Sequence, residues 1–513
     1  MSSEAELTHD EAVADVRAFV DAVESTHPAP FARAGGRFTY YRRAQSVIDD
    51  LPTDGCSERA LREVVAGLAS NVAEYHTFVV HPAADGTLPV SLGIVDGAIR
   101  VRAAEADGRR ELVGARLGSV DGTNVADLVG RQARLRGSET PHGDLGNLLR
   151  SLRKWRSLPL LLDREDSPDR VGFEFELPDG TTRTETLGPT ADGESTVGPS
   201  TLDRPTSEGW PAYRLLPDRD AAWLVIPSMT DYREHYELFR DVLDDLDALD
   251  DETLERVRSL ASAHTGEPAP DDIDDAIDGI PSALAIFREL AAEMAAAETE
   301  TLVVDVRGNE GGNRLLADLL AYVLYGWEGV ATARDRPSAI RYSDRFVAER
   351  GTGPFDHASE GRDWDLHPGE YVVDDGDPSV EELQHGLGSL PTFERLEAPD
   401  WSAAARYTPS DLVVVTDART LSAGFSLLAA LRRLGAAVVG TAPVQAPTYF
   451  GDLIGFSLPN SGIEAKTATT RIETLPDGPD EVLEPDRRLT SEAFDRYDYD
   501  RDASVLLALD EYC

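Results

Sequence analysis

Two glycine-flanked turns carry the residues in this 513-residue chain whose types and spacing suit chemistry. The later turn is Thr420-Leu421-Ser422-Ala423-Gly424. Small residues there let the backbone come close to something, and Ser422 stands where a helix begins. The first N–H groups of a helix lack intrahelical partners, and the helix dipole favours negative charge there. A hydroxyl at that point is open to two readings. It is an ordinary N-cap, or it is a nucleophile whose oxyanion adjacent backbone amides would stabilise. The earlier turn, Asp305-Val306-Arg307-Gly308-Asn309-Glu310-Gly311-Gly312, is polar and glycine-rich, so its backbone N–H groups can point into a cleft. It lacks the Lys-Ser/Thr end of a phosphate-binding P-loop and the glycine spacing of a dinucleotide fingerprint.

Similar elements must hold both turns. Leu412–Val415 is an apolar run that fits a strand buried on both faces, and a helix and a second buried strand follow it as far as Thr441. Leu302–Val304 predicts another short strand, after whose loop Leu315, Leu316, Leu319, Leu320 and Val323 recur at helical spacing. Between a strand at Trp223–Ile226 and Leu302–Val304 lie two helical segments separated by Gly266–Asp274, which suits a strand–helix–strand crossover with an insertion. These patterns predict an α/β core.

Together the two turns resemble the family of C-terminal-processing (tail-specific) and tricorn-like serine peptidases. The pattern D-x-R-x-N-x-G-G stands at Asp305–Gly312 and T-x-S-A-G at Thr420–Gly424, in that family's order. Ala221–Ser228 looks like the strand that opens the family's catalytic core, and Phe456–Gly462 and Leu483–Asp486 look like its closing strands. The resemblance covers most of Ala221–Asp486. It implies a crotonase-like (ClpP/crotonase) β-α spiral core, with Ser422 as nucleophile and the backbone N–H groups of Ala423 and of Gly311 or Gly312 as oxyanion donors. It implies neither a cofactor nor a metal.

Tail-specific members pair the serine with a lysine about two dozen residues further on, but Gly440–Asp452 contains none. The only lysines are Lys154 and Lys466, and Lys466 lies beyond the next strand signal. Tricorn-like members use a histidine from an N-terminal helical region, often within D-G-H-T. Leu61, Val64, Val65, Leu68 and Val72 mark a helix face here, followed by Ala73-Glu74-Tyr75-His76-Thr77, which keeps the His-Thr and departs at Glu74-Tyr75. Ser25-Thr26-His27-Pro28 also looks like the family's N-terminal segment. His76 is therefore the candidate general base, against the alternative of a capping or partly buried structural histidine. His81 is its nearest rival, and the remaining histidines lie in segments with no matching context. The family's orienting glutamate has no clear counterpart. Asp480, Glu481 and Glu484 stand near Pro485-Asp486 and read as solvated acids.

Ninety-four acidic against 49 basic residues give a formal net charge of −45. Self-repulsion on that scale opposes compaction at ordinary ionic strength, and molar salt, with a Debye length of about 3 Å, removes most of it. The acidic, lysine-poor composition with a 41% hydrophobic fraction resembles cytosolic proteins of extreme halophiles, so the chain reads as a haloarchaeal-type member. No basic stripe favours nucleic acid. Cys56 and Cys513 form no disulfide framework or metal spacing. The N-terminus has no secretory pattern, and no apolar run of about 18 residues predicts a membrane span. These features point to the cytoplasm.

Three regions follow. Residues 1–82 form a helical region carrying His76. Residues 86–200 are rich in short strands, and Leu112–Val129, with its Asp121-Gly122 turn, resembles a PDZ-like module of the kind that captures extended peptides. Residues 210–513 form the peptidase core after a Gly/Pro/Ser/Thr linker at Gly193–Pro205, with an insertion at 335–410 that either covers the cleft or decorates the surface. Asp244–Glu252 reads as a solvated helix face. The expected activity is hydrolysis of peptides or unfolded polypeptides through an acyl-enzyme. The alternatives are a non-catalytic protein binding peptides or hydrophobic ligands on the same fold, or an esterase or amidase for small substrates. A homo-oligomer stays open.

Overall fold

The computed structural model describes residues 6–81, 86–104, 109–164, 168–190, 198–242, 251–351, 366–388, 392, 407–475 and 482–513. They form two compact units. One contains Met1–Gly198, Pro337–Asp375 and Gln445–Val482, the other Pro199–Arg336, Gly376–Val444 and Leu483–Cys513.

The second unit is built on a six-stranded sheet in the order Ala212–Leu216, Ala221–Val225, Thr301–Asp305, Asp411–Thr416, Ala437–Gly440, Arg487–Arg488. The first pair is antiparallel and all others are parallel. Parallel strands are covered on both faces and so read as unbroken apolar runs, and all five residues of Ala221–Val225 and of Thr301–Asp305 are buried. The C-terminal helix Ala503–Tyr512 sets Val505, Leu507 and Leu509 against Trp223, Val303, Val413 and Val415 on one face. Asp305 pairs in register with Val225 and Val415, and the ladder runs on as Val306 N–H donates to Val415 O (2.9 Å) and Ile226 N–H to Asp305 O (2.9 Å). The loops after two adjacent strands therefore leave side by side at their carboxyl ends, where open α/β sheets hold their ligands. The helix Leu315–Arg334 breaks at Gly326 (φ 69°, ψ −160°), a backbone conformation that a residue with a Cβ rarely adopts.

In the first unit, helix His9–Thr26 opens with a capping box between Thr8 and Glu11, and helix Glu58–Ser70 is capped by Ser57. An antiparallel sheet runs Val90–Val95, Ala98–Ala104, Arg116–Val120, Val171–Glu176, Thr182–Leu187, with Thr123–Asn124 paired to Arg116–Val120 through the Asp121-Gly122 turn. Both turn residues have positive φ (50° and 77°), as that dipeptide predicts. A second sheet runs Tyr371–Asp374, Ser338–Arg341, Glu464–Glu473, Thr448–Ser457, and Phe78–Val79 joins Glu464–Glu473.

Two expectations need correction. Phe456–Gly462 is not a closing strand of the parallel core. It is the end of Thr448–Ser457 and the turn into Glu464–Glu473, within the first unit's antiparallel sheet. Leu483–Asp486 is irregular, and only Arg487–Arg488 after it joins the parallel sheet. Apolar alternation looks the same in an antiparallel hairpin and in a core strand, so the sequence did not separate them. The described parts of 335–410 contribute Ser338–Arg341 and Tyr371–Asp374 to the first unit's second sheet. Asp480, Glu481, residues 244–250 of the acidic run and residues 193–197 of the linker lie outside the described residues. No helix among the described residues is long and apolar enough to cross a membrane.

Candidate active site

Ser422 precedes helix Ala423–Arg433 with φ 55° and ψ −122°, and its side chain makes no capping hydrogen bond. The expectation of an ordinary N-cap fails on both counts, since a capping serine has extended backbone and accepts from the helix's own amides. A serine at positive φ is strained, and such strain persists only where surrounding contacts hold it. Strand-to-helix turns of this shape lift a hydroxyl clear of its helix.

The contacts that hold it come from the other turn. Leu421 N–H donates to Asn309 O (3.0 Å), Thr420 Oγ1 to Val306 O (3.0 Å), and Gly308 N–H to Asp417 Oδ1 (2.9 Å). Arg419 and Glu310 add an ion pair at 3.1 Å. Asn309 is wholly buried and joins three segments. Its Nδ2 donates to Ile226 O (3.0 Å), its Oδ1 accepts Gly311 N–H (3.0 Å), and its carbonyl receives Leu421. Gly311 (φ 105°) lies so close to the serine that a Cβ there would meet Ser422 Cβ at 2.7 Å and Ala423 N at 2.9 Å. Gly312 (φ 137°) sits against Met229 and Thr230 in the same way. Ser422, Ala423, Gly311 and Gly312 thus come together within one unit, although the Gly311 N–H is held by Asn309. The helix begins at Ala423, so its amide has no helical acceptor upstream.

Gly424 is needed for the same approach, because a Cβ there would stand 2.6 Å from both Asn309 O and Asn309 Oδ1. Gly424→Ala should therefore destabilise the unit by about 1–3 kcal/mol through overpacking and lower turnover further than stability alone explains. Denaturant unfolding and turnover, measured on the same preparation, check this.

His76 belongs to the first unit, just after helix Glu58–Ser70, and is 5% exposed. Glu74, fully buried, accepts the His76 backbone N–H and places Oε2 3.8 Å from His76 Nδ1. Its other oxygen lies 3.8 Å from Nε2 of His27, which is buried against Phe450 with ring centroids 4.5 Å apart. Burial, then nearby arginines, pushes His76 down to about 3, and burial pushes His27 to about 3 as well. Burial raises Glu74 to about 7 and Glu139 to about 8. Both histidines and their carboxyl neighbour are therefore held toward their neutral forms, and these close approaches are dipolar contacts rather than ion pairs. Glu74, Glu139 and His76 offer ligand atoms within 4.8 Å of one another, the set that could hold a cation among the described residues. Glu74 was legible only as a departure from D-G-H-T, and no local pattern marks it or His27 as neighbours of His76. Glu484, by contrast, is exposed and pairs with Arg488 at 2.6 Å, and Lys154 and Lys466 are both exposed.

These shifts give a pH dependence of definite sign. A histidine whose folded value is depressed contributes stability above about 6.5 that is lost as pH falls toward 3, because the unfolded chain takes up the proton first. A carboxyl whose folded value is raised contributes in the opposite sense, and that part is lost as pH rises from about 4.5 through 7 to 8. Because the two senses oppose each other in the wild type, the sign is read by difference: His27→Phe, which keeps the packing, should lose less melting temperature, or gain more, than the wild type between pH 6.5 and 4. Equal slopes would remove His27 from the account.

Comparisons with known proteins bear on the family and the fold. Residues 281–452, about a third of the chain, match the sequence model of peptidase family S41. That segment contains the Gly-rich turn and Ser422. A search of curated protein sequences found no match. Among solved structures, mature CPAF complexed with lactacystin is 15% identical with a TM-score of 0.59, covering 98% of this chain and 99% of that one. Mature CPAF alone is 16% identical with the same TM-score, covering 98% and 96%. The photosystem II D1 C-terminal processing protease is 14% identical over 94% of each chain, with a TM-score of 0.41 that carries no weight here. At these identities the structural likeness shows the fold. The match and the site together support a serine peptidase, and hence a hydrolase.

Proposed function

We propose that the chain hydrolyses peptides or unfolded polypeptides through an acyl-enzyme, with Ser422 as nucleophile and His76 as general base. The observation that carries the reading is the strained, uncapped Ser422 pressed against the Gly-rich loop. His76 stands in the other unit, so its pairing with Ser422 rests on the sequence resemblance. A general base works best with a pKa near the working pH, so the role requires that the value of about 3 rise when substrate binds. His76 would take the Ser422 Oγ proton as Oγ attacks the scissile carbonyl, return it to the leaving amine, and then activate water against the acyl-enzyme. Ala423 N–H and Gly312 N–H, or Gly311 N–H once Asn309 releases it, would receive the oxyanion, each such donor lowering the barrier by about 3 kcal/mol.

Three finer readings accompany this one. Residues 210–513 supply a crotonase-like core and 86–200 a PDZ-like module, supported by the parallel sheet and by the Asp121-Gly122 hairpin respectively. The tricorn-like affinity is supported by the exposed lysines, which leave the histidine solution. A halophilic, cytoplasmic setting is supported by the net charge of −45. A labelled, unfolded casein substrate in molar KCl tests the activity. Wild type should release peptides, and Ser422→Ala and His76→Gln should not. Hydrolysis of a p-nitrophenyl ester without casein cleavage would favour the small-substrate esterase, and neither activity in folded protein would favour a binding protein.

A further inference from the structure

We propose that the second unit carries an oxyanion-binding site, separate from Ser422, in which Arg314, Arg334 and Arg336 gather about Asp318 and Arg433 joins them at the carbonyls of Thr332 and Ala333. The break at Gly326 brings the two ends of helix Leu315–Arg334 together. Arg314 Nη2, at its start, donates to Asp318 Oδ1 (3.1 Å) and to Ala333 O near its end (2.9 Å). Arg334 Nη2 takes Asp318 Oδ2 at 2.7 Å. Arg433, in the last turn of the helix that Ser422 opens, donates to Thr332 O (3.0 Å) and to Ala333 O. Arg336 acts electrostatically on both Arg314 and Asp318 and has no ion pair among the described residues.

Part of this arrangement has a plain structural role, since arginines near a helix C-terminus satisfy its last carbonyls. That role accounts for Arg433 and for one nitrogen of Arg314. It leaves Arg314 Nε, Arg314 Nη1 and Arg336 Nη1, which are buried and have no acceptor among the described residues. A buried donor left unsatisfied is costly, and more so when charged. Among the described residues, four guanidinium groups meet one carboxylate here, in a chain whose net charge is −45. Burial, with the charges of Arg336, Arg334 and Arg433, drives Arg314 down to about 9 despite Asp318. An anion would relieve both deficits, and guanidinium forks match the paired oxygens of a carboxylate or phosphate. The side chains of Arg314 and Arg334 remain 15% and 31% exposed, so the cluster can be reached from solvent. Ser422 and Arg433 stand at opposite ends of their helix, 11 residues apart, or about 16 Å at 1.5 Å per residue. The site therefore stands independently of the peptidase reading.

The ligand is an oxyanion, either free inorganic phosphate or the terminal carboxylate of a peptide. Thermal unfolding of the full chain, at constant ionic strength, is followed against inorganic phosphate, N-acetyl-dialanine and N-acetyl-dialanine amide. Phosphate should raise the wild-type melting temperature saturably. Arg336→Gln, which breaks no ion pair, should need at least ten times more phosphate for the same shift, as should Arg314→Met, while Ser422→Ala should respond like wild type. A matching shift with the free-acid peptide and none with its amide identifies a peptide carboxylate, and a response to phosphate alone identifies the free anion. Insensitivity of the wild type to all three ligands would overturn the proposal, as would equal responses from wild type and Arg336→Gln.

Discussion

Ser422→Gly should resist denaturant better than the wild type while losing turnover by about a millionfold. The two effects share one cause. Ser422 is held at φ 55°, ψ −122°, where a residue with a Cβ is strained by about 1–3 kcal/mol. Glycine adopts that conformation freely, and its own entropic cost of up to about 1 kcal/mol offsets only part of the relief. No capping bond is lost, since the side chain makes none to its helix. For the same reason Ser422→Ala should escape the cost of about 1 kcal/mol that loss of a capping serine carries. Losses of about that size in turnover follow removal of a serine nucleophile, and the oxyanion donors sustain what remains. Equilibrium unfolding in urea, paired with casein turnover, checks both halves. A serine whose removal costs stability and leaves turnover intact would be a cap after all.

Arg307→Met should cost up to about 3–5 kcal/mol at neutral pH, because it leaves two buried carboxylates to share Arg204 as their main counter-ion. Arg307 grips Asp305 through Nε (2.8 Å) and Nη2 (2.7 Å), and the same Nη2 reaches Asp502 at 2.7 Å. Arg204 adds contacts to Asp502 (3.1 Å) and Asp305 (3.2 Å), and both carboxylates are wholly buried. Burial pushes Asp305 and Asp502 up, but the guanidinium groups outweigh it and hold both below the ordinary carboxylate range. Burial opposes the charge on Arg307 too, yet its two partners raise its proton affinity. In the wild type, folded values that are depressed contribute stability above the unfolded carboxylate range, and this is lost as pH falls through the folded values. In Arg307→Met the two carboxyls gain protons more readily, so the deficit should shrink as pH drops below about 4. The network also ties the start of the C-terminal helix to the loop that carries Asn309 and Gly311, so turnover should fall with stability. Urea unfolding at pH 7 and pH 4 checks the sign, and a deficit independent of pH would contradict the account.

The parts legible in the sequence are those set by local pattern. Leu412–Val415 and Leu302–Val304 are short apolar runs closed by small or polar residues, and they became buried parallel strands with the two turns at their carboxyl ends. The Asp121-Gly122 hairpin was legible because only a few residue types tolerate two successive positive φ values. What sequence did not reveal depends on partners far along the chain. Arg307 reads as one letter of a motif until Asp502, 195 residues later, meets it. Asn309 joins Ile226, Gly311 and Leu421, and nothing in N-E-G-G announces that. Ser422 was open between cap and nucleophile because both place a serine before a helix, and only the backbone angle separates them. Glu74 looked like a lost glycine-histidine context, whereas the fold buries it between His27 and His76.

The central claim is that Ser422 is an activated nucleophile, and covalent labelling with a fluorophosphonate tests it most directly. The purified chain is labelled in molar KCl, with folding verified by circular dichroism, beside Ser422→Ala and His76→Gln, and the adduct is located by peptide mapping. The account predicts stoichiometric labelling at Ser422, none in Ser422→Ala, and labelling slowed at least a hundredfold in His76→Gln. A folded wild-type protein that stays unlabelled, or an adduct mapped to another residue, would contradict it.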